Sequence, residues 1–249
     1  MIILRPENLD ISENIELGCS TRQGGVSPEP FDSLNMSTSR GDSEANVEQN
    51  RAMFLGEMKI SASNLAQGKQ VSRDGIEVVT RPGLYPACDA MITKEPGVFL
   101  SVLTADCAPV LIWTEGGDLV ASVHSGWQGS EMNLLGKTLD RITDDYHRSP
   151  ETLYMVIGPG LTQENFEVGP EFEQKFPPNY LQEFGDGRFK LNNNEFLRDT
   201  AVQRGIPAHH IEIMNYCTFE DGDLFFSHRR DKNNTGRMMS VIGIRDESD

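Results

Sequence analysis

The sequence predicts a mixed α/β (α+β) fold, a single compact domain over residues 1–249 with mixed β-sheets flanked by helices. Three observations lead there. Short apolar runs alternate with stretches of helical periodicity. Clusters of Gly, Pro and Asn recur every 10 to 20 residues, as loops do within one body. No internal repeat or low-complexity linker interrupts the pattern. Apolar residues make up 37%, with 12 Phe and 10 Met, which supplies a core and excludes a disordered acidic tail.

In chain order, the runs 17–21, 76–80, 98–104, 110–113, 120–123, 153–157, 211–214 and 238–244 are read as strands. Asp42 is placed to cap a helix carrying Val47, Arg51, Phe54 and Leu55. A second helix shows Met132, Leu135, Leu139, Ile142 and Tyr146 at helical spacing. A third carries Phe196, Leu197 and Ala201 and stops at Gly205, with Pro207 beyond.

Lys+Arg number 22 against Asp+Glu 38, a net charge of -16 that repels phosphate backbones and argues against nucleic-acid partners. The longest apolar stretch, 98–105, is broken by Ser101 and Thr104 and is too short for a bilayer. No signal-peptide pattern opens the sequence, so a cytoplasmic protein without a membrane partner is expected. Cys19, Cys88, Cys107 and Cys217 are scattered without a CxxC pair, against a disulfide framework.

The chemistry concentrates between Thr104 and Gly129. Gly116-Gly117 suits a two-residue hairpin turn, which needs positive φ at one or both central positions. Pairing Glu115 with Asp118 then sets His124 opposite Pro109 and Cys107 opposite Gly126. Cys107 and His124 become diagonal neighbours on one face, with Cα atoms about 7–8 Å apart. Gly126 and Gly129 leave room for a ligand, and a helix opening near Ser130 turns its amide end toward the corner. Two chemistries fit: a thiol nucleophile activated by His, or zinc held by Cys, His and a third ligand. A buried structural Cys beside a satisfied core His is the plain alternative.

A set of motifs then carries a resemblance. Thr21-Arg22-Gln23-Gly24-Gly25-Val26-Ser27, Ser33-Leu34-Asn35, Gly41-Asp42 and Asn50-Arg51 come first. Thr104-Ala105-Asp106-Cys107, Val123-His124-Ser125-Gly126-Trp127, Ile157-Gly158-Pro159 and Phe166-Glu167-Val168-Gly169 follow. Phe225-Phe226-Ser227-His228-Arg229-Arg230-Asp231 and Thr235-Gly236-Arg237 complete the series. In this order they resemble the YfiH-type laccase-domain family, also called multicopper polyphenol oxidase-like proteins or peptidoglycan editing factors.

The resemblance implies a Cys–His hydrolase-like fold and a purine nucleoside-processing enzyme. The implied reactions are phosphorolysis of adenosine, inosine, guanosine and methylthioadenosine with inorganic phosphate as co-substrate, and adenosine deamination. It also implies zinc, with Cys107 and His124 as ligands, Arg51 at the catalytic arginine position and Asn35 beside the substrate. Copper fits less well, because a laccase needs several His-rich centres and this chain has five His. Two departures stand out. The family's Gln-Val-His-Gly, whose His is the third metal ligand, reads Gln70-Val71-Ser72-Arg73, and Gly-Trp-Arg-Gly reads Gly126-Trp127-Gln128-Gly129. A Ser hydroxyl is a poor zinc ligand beside imidazole or thiolate.

Arg51 suits bidentate phosphate binding, with an exposed helix Arg as the alternative. Arg229, Arg230 and Arg237 form a basic island, for phosphate or for pairing with Asp231. Trp127 is read as a purine platform or a core residue, and Asp106 as an organiser of loop amides. His228 is the remaining His in a family motif, at a position where Tyr also occurs, whereas His147, His209 and His210 are read as solvated or loop residues. Cys19, Cys88 and Cys217 are read as structural. Besides the nucleoside enzyme, two further classes stay open: a Cys–His amidase acting on peptidoglycan precursors, and a pseudo-enzyme that lost its chemistry with Ser72.

Overall fold

The computed structural model describes residues 1–232 and 234–246. Two six-stranded mixed sheets form the body. The first runs in the order Ile3–Leu4, Ile15–Ser20, Met238–Ile244, Phe99–Thr104, Leu65–Gly68, Gly83–Tyr85. The second runs Ile211–Ile213, Leu153–Ile157, Ala108–Thr114, Val120–Ser125, Ala90–Thr93, Ile76–Val78. A small third sheet joins Glu167–Val168, Arg188–Leu191 and Leu181–Gly185.

Apolar side chains on the faces of these strands dictate the layering. Leu17, Leu100 and Ile242 of the first sheet meet Leu111, Trp113 and Val156 of the second in one core. The other face of the first sheet, through Phe99, Met239 and Val241, packs on Phe54 and Leu55 of the helix Glu44–Glu57. The other face of the second sheet, through Val110, Ile112 and Met155, packs on Leu135, Leu139 and Ile142 of the helix Leu134–Asp144 and on Leu197 of Asn193–Val202. The result is four layers, helix–sheet–sheet–helix, each buried by the periodicity of its own sequence. Among the described residues, no helix is long and apolar enough to cross a membrane.

All eight expected strands form, with ends shifted by at most a few residues. Three local expectations are corrected. The cap of the first helix is Ser43, whose Oγ accepts from the Asn46 amide at 3.2 Å. Asp42 instead takes the Ser27 hydroxyl (2.7 Å) and the Asn35 amide (2.8 Å). The second helix is two pieces, Trp127–Glu131 and Leu134–Asp144, parted by Asn133 at φ 58°, a conformation Asn tolerates. Its amide end therefore lies at Trp127, not near Ser130. Finally, the hairpin loop has four residues, 115–118. The Thr114 amide bonds to the Leu119 carbonyl, and only Gly117 of the two glycines takes positive φ (65°). The register survives, because a four-residue loop keeps the same pairing: His124 lies opposite Pro109 and Ala108 opposite Ser125.

Candidate functional site

The chain passes from the first sheet to the second through residues 105–107, between the strands Phe99–Thr104 and Ala108–Thr114. Asp106 takes the left-handed conformation there, at φ 92°, which costs free energy for a non-glycine residue. Its carboxylate accepts from the Thr218 hydroxyl (2.7 Å) and the Arg229 amide (2.6 Å), so surrounding structure holds the bend in place. Cys107 follows at once, half-buried, and His124 stands beside it near the end of Val120–Ser125. Gly126 makes this approach feasible: a Cβ there would lie 2.8 Å from the Cys107 Sγ.

His124 is oriented from behind. Its Nδ1 lies 2.8 Å from Asp89 Oδ1, and Asp89 is itself buried. The amides of Val71 (3.0 Å), Ser72 (3.0 Å) and Arg73 (3.1 Å) all donate to the Asp89 carboxylate. Burial works against ionisation of Asp89, but the His124 bond and these amides prevail and lower its pKa. Burial likewise opposes a charged His124. The neighbouring Cys107 sulfur and the Asp89 bond outweigh it and raise the His124 pKa to about 9. The segment 70–73 is pinned in turn by Gln70, which donates to the Leu103 carbonyl (2.7 Å) and accepts from its amide (2.8 Å). Asp89, and the part that Gln70 and the amides of 71–73 play around it, escaped the sequence reading, since a carboxylate 35 residues from its partner leaves no local pattern.

Cys107 and His124 open into a cleft of about 470 Å³. Ser37, Ser39, Arg40, Lys69, Ser72 and Thr104 also face it, with His228 and Arg237. In a chain of net charge -16, no Asp or Glu among the described residues lines this cleft. Arg40 and Lys69 have no local sequence signal and were missed.

The remaining expected residues, Arg237 apart, fall outside the cleft. Arg51 turns its Nε (2.9 Å) and Nη2 (2.6 Å) onto the Met36 carbonyl. Asn35 is fully buried and supports the 35–42 loop. Arg230 chelates Asp231 at 2.9 Å and three backbone carbonyls, so the basic island is largely a structural clamp. Arg229 donates to the Glu167 carbonyl, and only Arg237 of the three reaches the cleft. Trp127 packs on Phe172 at 5.0 Å between ring centroids, in an aromatic cluster, and Gln128 is exposed. His147 is exposed, and His210 stacks on Tyr154 at 4.0 Å. Cys19, Cys88 and Cys217 are buried; burial pushes the thiols of Cys19 and Cys88 up to about 11 and about 12.

With this geometry in hand, residues 16–245 match the family profile described as multi-copper polyphenol oxidoreductase laccase. The chain belongs to this family. Purine nucleoside phosphorylase YfiH of Shigella flexneri is 33% identical over 230 residues, covering 90% of this chain and 92% of the relative. The crystal structure of the hypothetical protein YfiH of Bacillus licheniformis superposes with a TM-score of 0.90 at 31% identity, covering 93% of each chain. YlmD of Geobacillus stearothermophilus gives 0.89 at 30% identity, covering 94% of this chain and 93% of that one.

The laccase-family resemblance implies a metal, and the donor set here does not fit one. A catalytic zinc wants three thiolate, imidazole or carboxylate ligands. Among the described residues, no group of three His, Cys, Asp or Glu is disposed to hold an ion. Cys107 and His124 supply two donors. Ser72, at φ 56°, brings only a hydroxyl to the same cleft.

Proposed function

We propose that this chain is a purine nucleoside phosphorylase acting on adenosine, inosine, guanosine or methylthioadenosine, with inorganic phosphate as co-substrate. One observation carries the reading: the Asp89–His124–Cys107 line opens into a cleft lined by cations and, among the described residues, no carboxylate, in an otherwise acidic protein. The names of relatives such as the Shigella flexneri phosphorylase agree with it.

In this reaction a phosphate oxygen attacks C1′ of the ribose, and the C1′–N9 bond breaks. The bonding electrons pass to the purine, which takes up a proton. His124 is the donor of that proton, since a pKa near 9 keeps its imidazole charged at neutral pH. Asp89 holds the ring in place, and Cys107 sets its outer face. Deamination needs an activated water, which a third strong metal ligand would support. With Ser72 there, adenosine deamination is the weaker activity.

Product analysis with adenosine and inosine, with and without phosphate, tests the reading. Phosphate-dependent release of free base that is lost in Cys107→Ala supports it. Absence of turnover from every nucleoside overturns it. The same Cys–His–Asp line favours one second reading, a thiol hydrolase acting on an amide bond. Acylation of Cys107 by an amide substrate, with no nucleoside turnover, would mark that case.

A further inference from the structure

We infer that Arg40 and Arg237 together form the inorganic-phosphate subsite of the cleft, an assignment that rests on the phosphorylase reading. Both guanidinium groups line the cleft that holds Cys107 and His124. Among the described residues neither has a carboxylate within ion-pair distance, although this chain pairs most of its other arginines. The nearby carboxylates are committed elsewhere: Asp89 to His124 and three amides, Asp106 to Thr218 and the Arg229 amide.

Arg237 is half-buried, and its Nη1 is anchored on the Gly236 carbonyl at 2.8 Å. Burial first, and the charge of Arg40 second, lower its pKa, against the opposing pull of Cys107 and Asp106. Two guanidinium groups lining one cleft, neither in an ion pair among the described residues, form the arrangement a dianion relieves. Ser37 and Ser39 line the same cleft, the Ser37 hydroxyl donating to that of Ser39 at 2.9 Å. One buried side chain links the two segments that carry these cations. Asn35 accepts from the Arg237 amide (2.9 Å) and donates to the Ser37 carbonyl (2.8 Å), two and three residues from Ser39 and Arg40. The tight contact at Gly236, where a Cβ would lie 2.9 Å from Asn35 Oδ1, fixes that junction. Arg51, by contrast, has its guanidinium turned onto Met36.

The test titrates inorganic phosphate by calorimetry into wild type, R40Q, R237Q, R40K and the exposed control R81Q, alongside steady-state kinetics. Arg40 is exposed, so R40Q keeps the fold; R237Q is read with its thermal midpoint. R40Q and R237Q should each weaken phosphate binding and raise the phosphate KM by about 10-fold or more, as loss of a charged hydrogen bond does. The nucleoside KM should change little, R40K should recover part of the loss, and R81Q should match wild type. Phosphate uptake or phosphate KM unchanged in both R40Q and R237Q overturns the subsite, as does wild type that takes up no phosphate. Phosphate binding that is lost in R40Q, in a protein that releases no base, keeps the subsite and defeats the phosphorylase reading instead.

Discussion

His124 Nδ1 lies 2.8 Å from the Asp89 carboxylate, which three successive amides, from Val71 to Arg73, hold in the interior. One ring nitrogen is therefore committed to Asp89, and the other is left to give its proton into the cleft that His124 shares with Cys107. Asp89→Asn keeps the shape but removes the charge. It should lower kcat by about 10²-fold or more while leaving the nucleoside KM nearly unchanged. An equal loss in both parameters would mean that Asp89 only supports the fold.

A raised pKa has a direction in stability. The folded state holds the His124 proton up to about pH 9, and an unfolded His releases it near 6.5. The contribution is complete below about 6.5 and is lost as pH rises through 9. Thermal midpoints from pH 6 to 10 should thus fall more steeply for wild type than for His124→Asn. Parallel profiles would contradict the assignment.

Gly126 sits at φ −73°, so a side chain there meets no backbone strain. The obstacle is the Cys107 Sγ, 2.8 Å from the added Cβ. Gly126→Ala should displace the sulfur, slow alkylation of Cys107 by iodoacetamide, and cost about 1–3 kcal/mol in denaturant unfolding. Unaltered labelling would show that the sulfur has room to move.

Arg51 donates twice to the Met36 carbonyl. Arg51→Ala should lower stability by about 1.5–3 kcal/mol and leave the phosphate KM within a few-fold of wild type. A stable variant with a large increase in phosphate KM would return Arg51 to the phosphate site.

Ser72 faces the cleft at φ 56°, a conformation that His adopts more readily than most residues. Ser72→His should complete a Cys–His–His donor set and raise retained zinc by at least ~10-fold after dialysis, read by elemental analysis. Adenosine deamination should rise with it. Equal zinc in both proteins would show that the third donor is not what limits binding.

Much of the frame was legible because burial writes a period into the chain. The runs 153–157 and 238–244 coincide with strands end to end, and the 108–125 hairpin keeps its register even though its loop is longer than expected. The short strands Ala90–Thr93 and Leu65–Gly68 were missed; four residues carry too little pattern, and their stability comes from neighbours already in place. Asp42 misled as a cap, because Asp, Ser and Asn all favour that position and Ser43 is one residue closer.

The site divides along the same line. Cys107 and His124 lie 17 residues apart in one hairpin, so strand pairing alone sets them side by side, and the sequence determined that much. It also determined the scarcity of donors at Ser72, which is a matter of residue chemistry. Only the tertiary structure decided that Asp89 stands behind His124, that Arg51 faces Met36, and that Arg40 shares a cleft with Arg237 nearly 200 residues away. Those relations depend on packing two sheets face to face and on which way a long side chain turns once its neighbours are present. Local periodicity encodes which face of an element is buried; it does not encode what that face will meet.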